Sequence, residues 1–327
     1  MRTNSEAAVN YTRGFGLKMF SEDELYAIHL ATLKVLGRTG IKVESEEALE
    51  IFASGGAKVD KATHIVRFPA YIVEDAIKSA PSTIVLNARN PEHNVVLEGK
   101  RVHFTNFGEG IMVFDPYTGE YRKSTKQDCA NAALMCDYLD EVDVILRAVA
   151  AHDVFTPVHV LHEMEACFLN TSKPVFNGGV NSRLAEYLFQ MGAAVAGGMD
   201  KFKERPMLSL NVCPTSPLQL TAHCTEAIIK CAEYGVPVNV LSMAMAGGSS
   251  PVTLGGTLVT HNAEVLSGVI LSQLTRKGTP VIYGSSTTMM DLRTTTAPVG
   301  APELGMINAA VAALAQYYLL PSWVAGG

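Results

Sequence analysis

The sequence lacks basic clusters, long apolar runs and paired cysteines, and each absence excludes a class of protein. Its 26 Lys and Arg residues form no stripe, and the formal net charge is -6, so a nucleic-acid-binding role is not predicted. No uncharged apolar run reaches the ~18 residues of a membrane span, and the N-terminus lacks the apolar core of a signal peptide. With 48% hydrophobic residues the chain can bury a large core, and we expect a cytoplasmic globular enzyme.

Metal-ligating residues are present but are not spaced as a zinc site. The six cysteines are scattered without a CxxC pair, so reduced buried thiols are predicted. His159, His162, Glu163, Glu165 and Cys167 lie close together in the chain, but their spacing fits no zinc signature. We expect these residues to form a solvated helix face, and no metal site is predicted.

Short apolar runs alternate with helical patterns along most of the chain. About seven such runs end in Gly, Ser, Thr or Asn, which is typical of parallel strands joined by helices. This alternation predicts an α/β fold, a (β/α)₈ TIM-type barrel over residues 102–327 that is incomplete at its C-terminus. Residues 1–101 are predicted to form an N-terminal α/β extension. The runs are 102–108, 144–151, 174–179, 207–213, 237–246, 280–286 and 322–326.

Several short sequence patterns predict individual helices, strands and a turn within the extension and just after it. Ser21 and Glu24 have the spacing of a capping box and predict the start of a helix. Further helices are expected over 46–55 and 69–80, with strands at 65–68 and 83–86. Residues 115–119 (DPYTG) predict the turn of a hairpin.

The loops after the predicted barrel strands contain hydroxyls, small residues and methionines, with few charges. Because a barrel of this kind carries its active site at the carboxyl ends of its strands, we expect a small, weakly polar or cationic ligand there. The acidic residues nearest to the predicted strand ends are Glu109, Asp291 and Glu303. Phe107, Tyr283 and Trp323 fit either an aromatic box for an ammonium group or ordinary core packing, and the sequence leaves both open.

Five segments carry a family resemblance. They resemble the trimethylamine:corrinoid methyltransferase family, and the similarity is strongest from Leu210 onward. The segments are 210–217 (LNVCPTSP), 237–264 (PVNVLSMAMAGGSSPVTLGGTLVTHNAE), 283–288 (YGSSTT), 297–305 (APVGAPELG) and 321–326 (PSWVAG).

The resemblance implies a reaction and a partner. Members are TIM-type barrels that move a methyl group from a methylamine to the Co(I) of a separate corrinoid protein, so no cofactor is expected to be bound directly. The trimethylamine enzymes carry pyrrolysine, encoded by UAG, at a position that would directly follow Gly327; the chain is therefore expected to be the portion before that codon and inactive alone. A homo-oligomer is expected at full length. The implied substrate-binding residues are Glu109, Ser242, Tyr283, Ser285 and Asp291.

The sequence is also compatible with three alternatives. One is a corrinoid methyltransferase of the glycine betaine type, which acts on a quaternary amine without pyrrolysine. Another is a barrel lyase or hydrolase, which predicts a Lys or His beside a Glu at a strand end. The third is a non-catalytic binding protein.

Overall fold

The computed structural model describes residues 19–325, and the elements below belong to that range. The α-helices are α1 (Glu22–Arg38), α2 (Glu46–Ser54), α3 (Ala70–Ser79), α4 (Lys126–Tyr138), α5 (His159–Asn170), α6 (Ser182–Ala196), α7 (Met199–Glu204), α8 (Ala222–Tyr234), α9 (Leu254–Thr275) and α10 (Pro302–Tyr317). Short 3₁₀ helices span Pro91–His93 and Thr156–Val158.

The strands alternate with these helices through most of the chain. They are β1 (Ile41–Val43), β2 (Lys58–Asp60), β3 (Ile65–Arg67), β4 (Thr83–Leu86), β5 (Val95–Glu98), β6 (Met112–Phe114), β7 (Tyr121–Lys123), β8 (Ile145–Leu146), β9 (Val175–Gly178), β10 (Leu208–Val212), β11 (Gln219–Leu220), β12 (Val238–Ser242), β13 (Met245–Ala246), β14 (Val281–Ser285), β15 (Thr288–Met289) and β16 (Ser322–Val324).

The described chain divides into two compact units, each built from separate stretches. The first unit comprises residues 85–97 and 101–211, and the second comprises residues 19–84, 98–100 and 212–325. Each unit contains residues from before and from after the predicted boundary at Arg101. The predicted division into an extension of residues 1–101 and a barrel of residues 102–327 therefore stays a prediction.

A parallel sheet forms the core of the first unit. Strand β9 pairs in parallel with β8 on one side and with β10 on the other. All four residues of β9 are buried, as expected for a central strand covered on both faces. The chain from Thr105 to Gly110 runs beside this sheet, with parallel bridges from Thr105 to Val144 and from Gly110 to Val149.

The second unit has its own run of parallel strands. Strand β14 pairs with β12 and with β16, and the shorter strands β13 and β15 pair beyond the ends of β12 and β14. A second sheet of β11, β1, β3 and β2 lies at the N-terminal part of this unit. The register of β12 and β14 sets Ser242 opposite Ser285, so the last residues of both strands are neighbours.

Helix α9 is the central helix of the second unit. Every residue from Thr260 to Gln273 is buried, because α1, α2, α3 and α8 pack around it together with β12 and β14. A helix that is buried all round must satisfy its polar side chains internally. Asn262 does so by donating to Thr32 Oγ1 at 2.9 Å and to Tyr318 Oη at 2.8 Å.

The predicted α/β class is confirmed. Six of the seven predicted runs coincide with β8, β9, β10, β12, β14 and β16, and the predicted hairpin is β6 and β7. The run predicted at 102–108 forms only the isolated bridge at Thr105, because the Asn106 side chain donates to the Leu146 carbonyl at 2.7 Å and accepts from the Leu146 N–H at 2.9 Å in place of backbone pairing. All six cysteines are free thiols, and four of them are buried as predicted, whereas Cys136 is half-buried and Cys213 is exposed. Among the described helices none is long and apolar enough to cross a bilayer.

The capping box predicted at Ser21 is present at the start of α1. The Ser21 side chain accepts from the Glu24 backbone N–H, and the Glu24 carboxylate accepts from the Ser21 N–H at 2.8 Å. Ser21→Ala should lower the free energy of unfolding by about 1 kcal/mol, whereas Ser21→Asp, which can still cap, should cost less. Urea unfolding of the two variants measures the difference, and equal losses would contradict a capping role.

Candidate functional site

The carboxyl ends of β12 and β14 present two adjacent serines with buried side chains. The Ser242 hydroxyl donates to Glu264 Oε2 on α9 at 2.6 Å, and the Ser285 hydroxyl accepts from the Thr287 N–H at 3.1 Å. Both residues are 0% exposed. Their hydroxyls therefore fix the strand ends to α9 and to the following loop.

Glu264 is a buried carboxylate, and its donors among residues 19–325 are two hydroxyls and one backbone N–H. Besides Ser242, it accepts from the Ser216 hydroxyl at 2.8 Å and from the Leu218 N–H at 2.9 Å. Burial raises the pKa of Glu264, and the three hydrogen bonds offset part of that rise. The carboxylate thus ties the loop before β11 to the end of β12.

His261 lies one turn before Glu264 on α9 and is also buried. Its Nδ1 hydrogen-bonds Thr287 Oγ1 at 2.9 Å, and its Nε2 has no hydrogen-bond partner within residues 19–325. Burial lowers the pKa of His261 to about 3. The imidazole is therefore neutral near pH 7 and helps to hold the loop after β14.

Tyr283 belongs to the core. It is 0% exposed, its hydroxyl donates to Asn262 Oδ1 at 2.8 Å, and its ring lies edge-on to His261 at 5.3 Å. Of the two possibilities left open for Tyr283, core packing is the one found. Asp291, in contrast, is partly exposed and accepts from the Arg293 N–H at 2.8 Å, which holds the pKa of Asp291 below its usual value.

The first unit carries an exposed carboxylate beside a buried guanidinium. Glu109 follows the bridge at Thr105, and its side chain is 62% exposed. Arg147 follows β8, is 7% exposed, and donates through Nη2 to Glu109 Oε1 at 2.9 Å. A Cβ at Gly178, the last residue of β9, would lie 3.6 Å from that same oxygen. The lack of a side chain at Gly178 thus leaves the carboxylate more open.

Glu163 on α5 is the second partner of Arg147. Arg147 Nη1 donates to Glu163 Oε2 at 2.7 Å, while Glu163 Oε1 accepts from the Ala151 N–H and pairs with His159 Nδ1 at 2.8 Å. Burial by itself lowers the pKa of Arg147, but the two carboxylates outweigh burial and leave that pKa raised. Arg147 therefore stays charged, and it is shared between a buried and an exposed carboxylate.

The five sequence-predicted site residues fall in different environments. Glu109 and Asp291 are accessible to solvent, whereas Ser242, Tyr283 and Ser285 are fully buried and lie together in the second unit. The role of all five in substrate binding stays a prediction. The predicted pyrrolysine also stays one, because Gly327, which it would follow, lies outside the described residues.

The expectation for residues 159–167 is correct only in part, because the side chains of His162 and Glu165 are 39% and 48% exposed. Residues 159–167 were expected to form a solvated helix face, but Glu163 is 0% exposed and Cys167 is 1% exposed. Arg147, which neutralises Glu163, is 16 residues away in the chain and gives no signal in the helix pattern. No group of three or more His, Cys, Asp and Glu residues suited to a metal ion occurs in the part of the chain that the structure describes.

Comparison with solved structures supports the barrel architecture. The crystal structure of the Methanosarcina barkeri monomethylamine methyltransferase (MtmB) matches with a TM-score of 0.59 at 13% identity. The match covers 92% of this chain and 67% of that chain. At this identity the likeness shows the fold alone, and it confirms the predicted TIM-type class.

Sequence comparison extends along the whole chain. The chain is 59% identical over 327 residues to the trimethylamine methyltransferase MttB of Desulfitobacterium hafniense, and it spans 66% of that protein. It is 47% identical to the MttB of Methanosarcina thermophila, covering 68% of it, and 35% identical to a glycine betaine methyltransferase of D. hafniense, covering 64% of it. The profile of the family described as trimethylamine methyltransferase (MTTB) matches residues 3–327. The chain belongs to the trimethylamine methyltransferase (MTTB) family.

Proposed function

We propose that the protein carrying this chain transfers a methyl group from trimethylamine to the Co(I) of a separate corrinoid protein. The observation that carries this proposal is the 59% identity to a trimethylamine methyltransferase over the entire chain. The 35% identity to a glycine betaine methyltransferase makes a quaternary amine the second candidate substrate. The corrinoid belongs to the partner protein, and both this partner and a homo-oligomeric state are part of the proposal.

The proposed reaction requires the chain to bind its substrate and to orient it. A carbon–nitrogen bond of the trimethylammonium ion breaks, the methyl group bonds to cobalt, and neutral dimethylamine leaves with the electron pair. The chain must therefore hold a small cation with its methyl group facing the partner, because in-line transfer depends on orientation. Glu109 is suited to this task, since its carboxylate is exposed next to the ends of β8 and β9.

A substrate panel tests the proposal. The protein is expressed from its natural gene, mixed with its reduced corrinoid protein, and supplied in turn with mono-, di- and trimethylamine and with glycine betaine. Methylation of the corrinoid, followed by its absorbance change, should be fastest with trimethylamine. Fastest transfer from glycine betaine would favour the second candidate, and no transfer from any of the four would overturn methyl transfer.

Glu109→Gln should lower kcat/KM for trimethylamine by about 10- to 100-fold, because a charged contact to the ammonium ion is lost. The same corrinoid assay measures the change. Glu120→Gln removes an exposed carboxylate near the β6–β7 hairpin and is the matched control, for which an unchanged rate is expected. Equal rates for both variants would remove Glu109 from the site.

A further inference from the structure

We infer that Glu163, although fully buried, keeps the surroundings of Glu109 net negative and so sets the affinity of the site for a cation. This inference rests on the proposed function only in taking Glu109 as the carboxylate that meets the ammonium group. Glu163 and Arg147 then act as positioning residues, because their charges affect the bound cation through Glu109.

The argument begins with the charges. Arg147 carries one positive charge, and Glu109 and Glu163 each carry one negative charge, so the three side chains together have an excess of one negative charge. His159 Nδ1 also lies 2.8 Å from Glu163 Oε1. Where the excess resides depends on which carboxylate interacts more strongly with Arg147.

Distance and burial both favour the pair with Glu163. Arg147 Nη1 lies 2.7 Å from Glu163 Oε2, and Arg147 Nη2 lies 2.9 Å from Glu109 Oε1. The Glu163 side chain is 0% exposed, so water screens its attraction to Arg147 far less than it screens that of Glu109, which is 62% exposed. The charge of Arg147 is therefore mostly neutralised by Glu163.

Glu109 is then both held in place and left negative. Arg147 Nη2 lies 2.9 Å from Glu109 Oε1, while Glu163 cancels the positive charge of Arg147 that would otherwise repel an ammonium ion. The backbone N–H of Glu109 also donates to the Arg147 carbonyl at 3.2 Å, which holds the two residues together. Without the Glu163 charge, Arg147 would neutralise Glu109, and the site would lose its attraction for cations.

The test uses tetramethylammonium, whose charge does not depend on pH, with the natural protein and three variants at pH 8. Binding is followed by broadening of the methyl resonance of the probe. Glu163→Gln should weaken binding by about 10-fold, as expected for one unit of charge lost close to the site in a partly screened setting. Glu109→Gln should weaken binding at least as much.

The diagnostic variant is the double substitution Arg147→Met with Glu163→Met. It removes one positive and one negative charge, so Glu109 again carries the excess, and apolar replacement of a buried pair is often tolerated. Its affinity should return to within about 3-fold of the natural protein. A purely structural role would instead make the double variant bind as weakly as Glu163→Gln or more weakly.

Each outcome decides the inference separately from the proposed function. Normal binding by Glu163→Gln, weak binding by the double variant, or no binding by the natural protein would overturn it. If Glu163→Gln fails to fold, as judged by its thermal transition, the same point is decided by comparing the tetramethylammonium affinity of the double variant with that of Glu109→Gln. Because the readout involves no corrinoid, a failure of methyl transfer with this binding pattern intact would overturn the proposed function alone.

Discussion

Acidification from pH 6.5 to pH 3 is expected to remove up to about 5 kcal/mol of stability through His261 alone. The folded protein lowers the pKa of this imidazole from 6.5 to about 3. Between pH 6.5 and pH 3 the His261 imidazole is protonated in the unfolded chain but not in the folded chain. The contribution of His261 is therefore complete above pH 6.5 and declines by about 1.4 kcal/mol per pH unit as the pH falls to 3.

The measurement compares the natural protein with His261→Asn by urea unfolding at a series of pH values. Asparagine has no titratable side chain, so the difference in unfolding free energy between the two proteins should shrink or reverse as the pH falls. Glu264 acts in the opposite direction, because its pKa is raised in the folded state and its protonation favours folding. Both proteins contain Glu264, so its effect cancels in the difference, and parallel curves would contradict the assignment to His261.

Arg147→Ala should cost about 3–5 kcal/mol in the free energy of unfolding. The substitution leaves the Glu163 carboxylate buried without its positive partner, and an uncompensated buried charge is expensive. Urea unfolding near neutral pH measures the loss.

The control for this prediction is the Arg147→Met, Glu163→Met double variant, which has no buried charge at this position. It should lie close to the natural protein or above it in stability. A loss under about 1 kcal/mol for Arg147→Ala would mean that Glu163 obtains its compensation elsewhere.

Much of the fold could be predicted because it depends on local patterns. The apolar runs that became β9, β12 and β14 are short, bounded by turn residues and fully buried, so their sequence carries the strand signal by itself. The capping box at Ser21 and the hairpin turn at 115–119 are likewise decided within a few residues.

The chemistry of the candidate site could be predicted less well because it depends on pairs that are distant in the chain. Glu264 lies 48 residues from Ser216 and 22 from Ser242, and only packing brings these groups together. Tyr283 was predicted from its place near a strand end, but alternation along β14 sends its side chain to the face that carries Asn262. The sequence predicts where a strand ends, but the face of the sheet to which each side chain points can be assigned only once the register is known.

The polar side chains of α9 also limit how this protein can change over evolution. Asn262 contacts Thr32 on α1, His261 contacts the loop after β14, and Glu264 contacts the end of β12. Each added or deleted residue in a helix turns everything beyond it by about 100°. Inserting or deleting a single residue between Asn262 and Glu264 would therefore rotate these two side chains out of register with each other, so relatives that keep both contacts should show no length variation there.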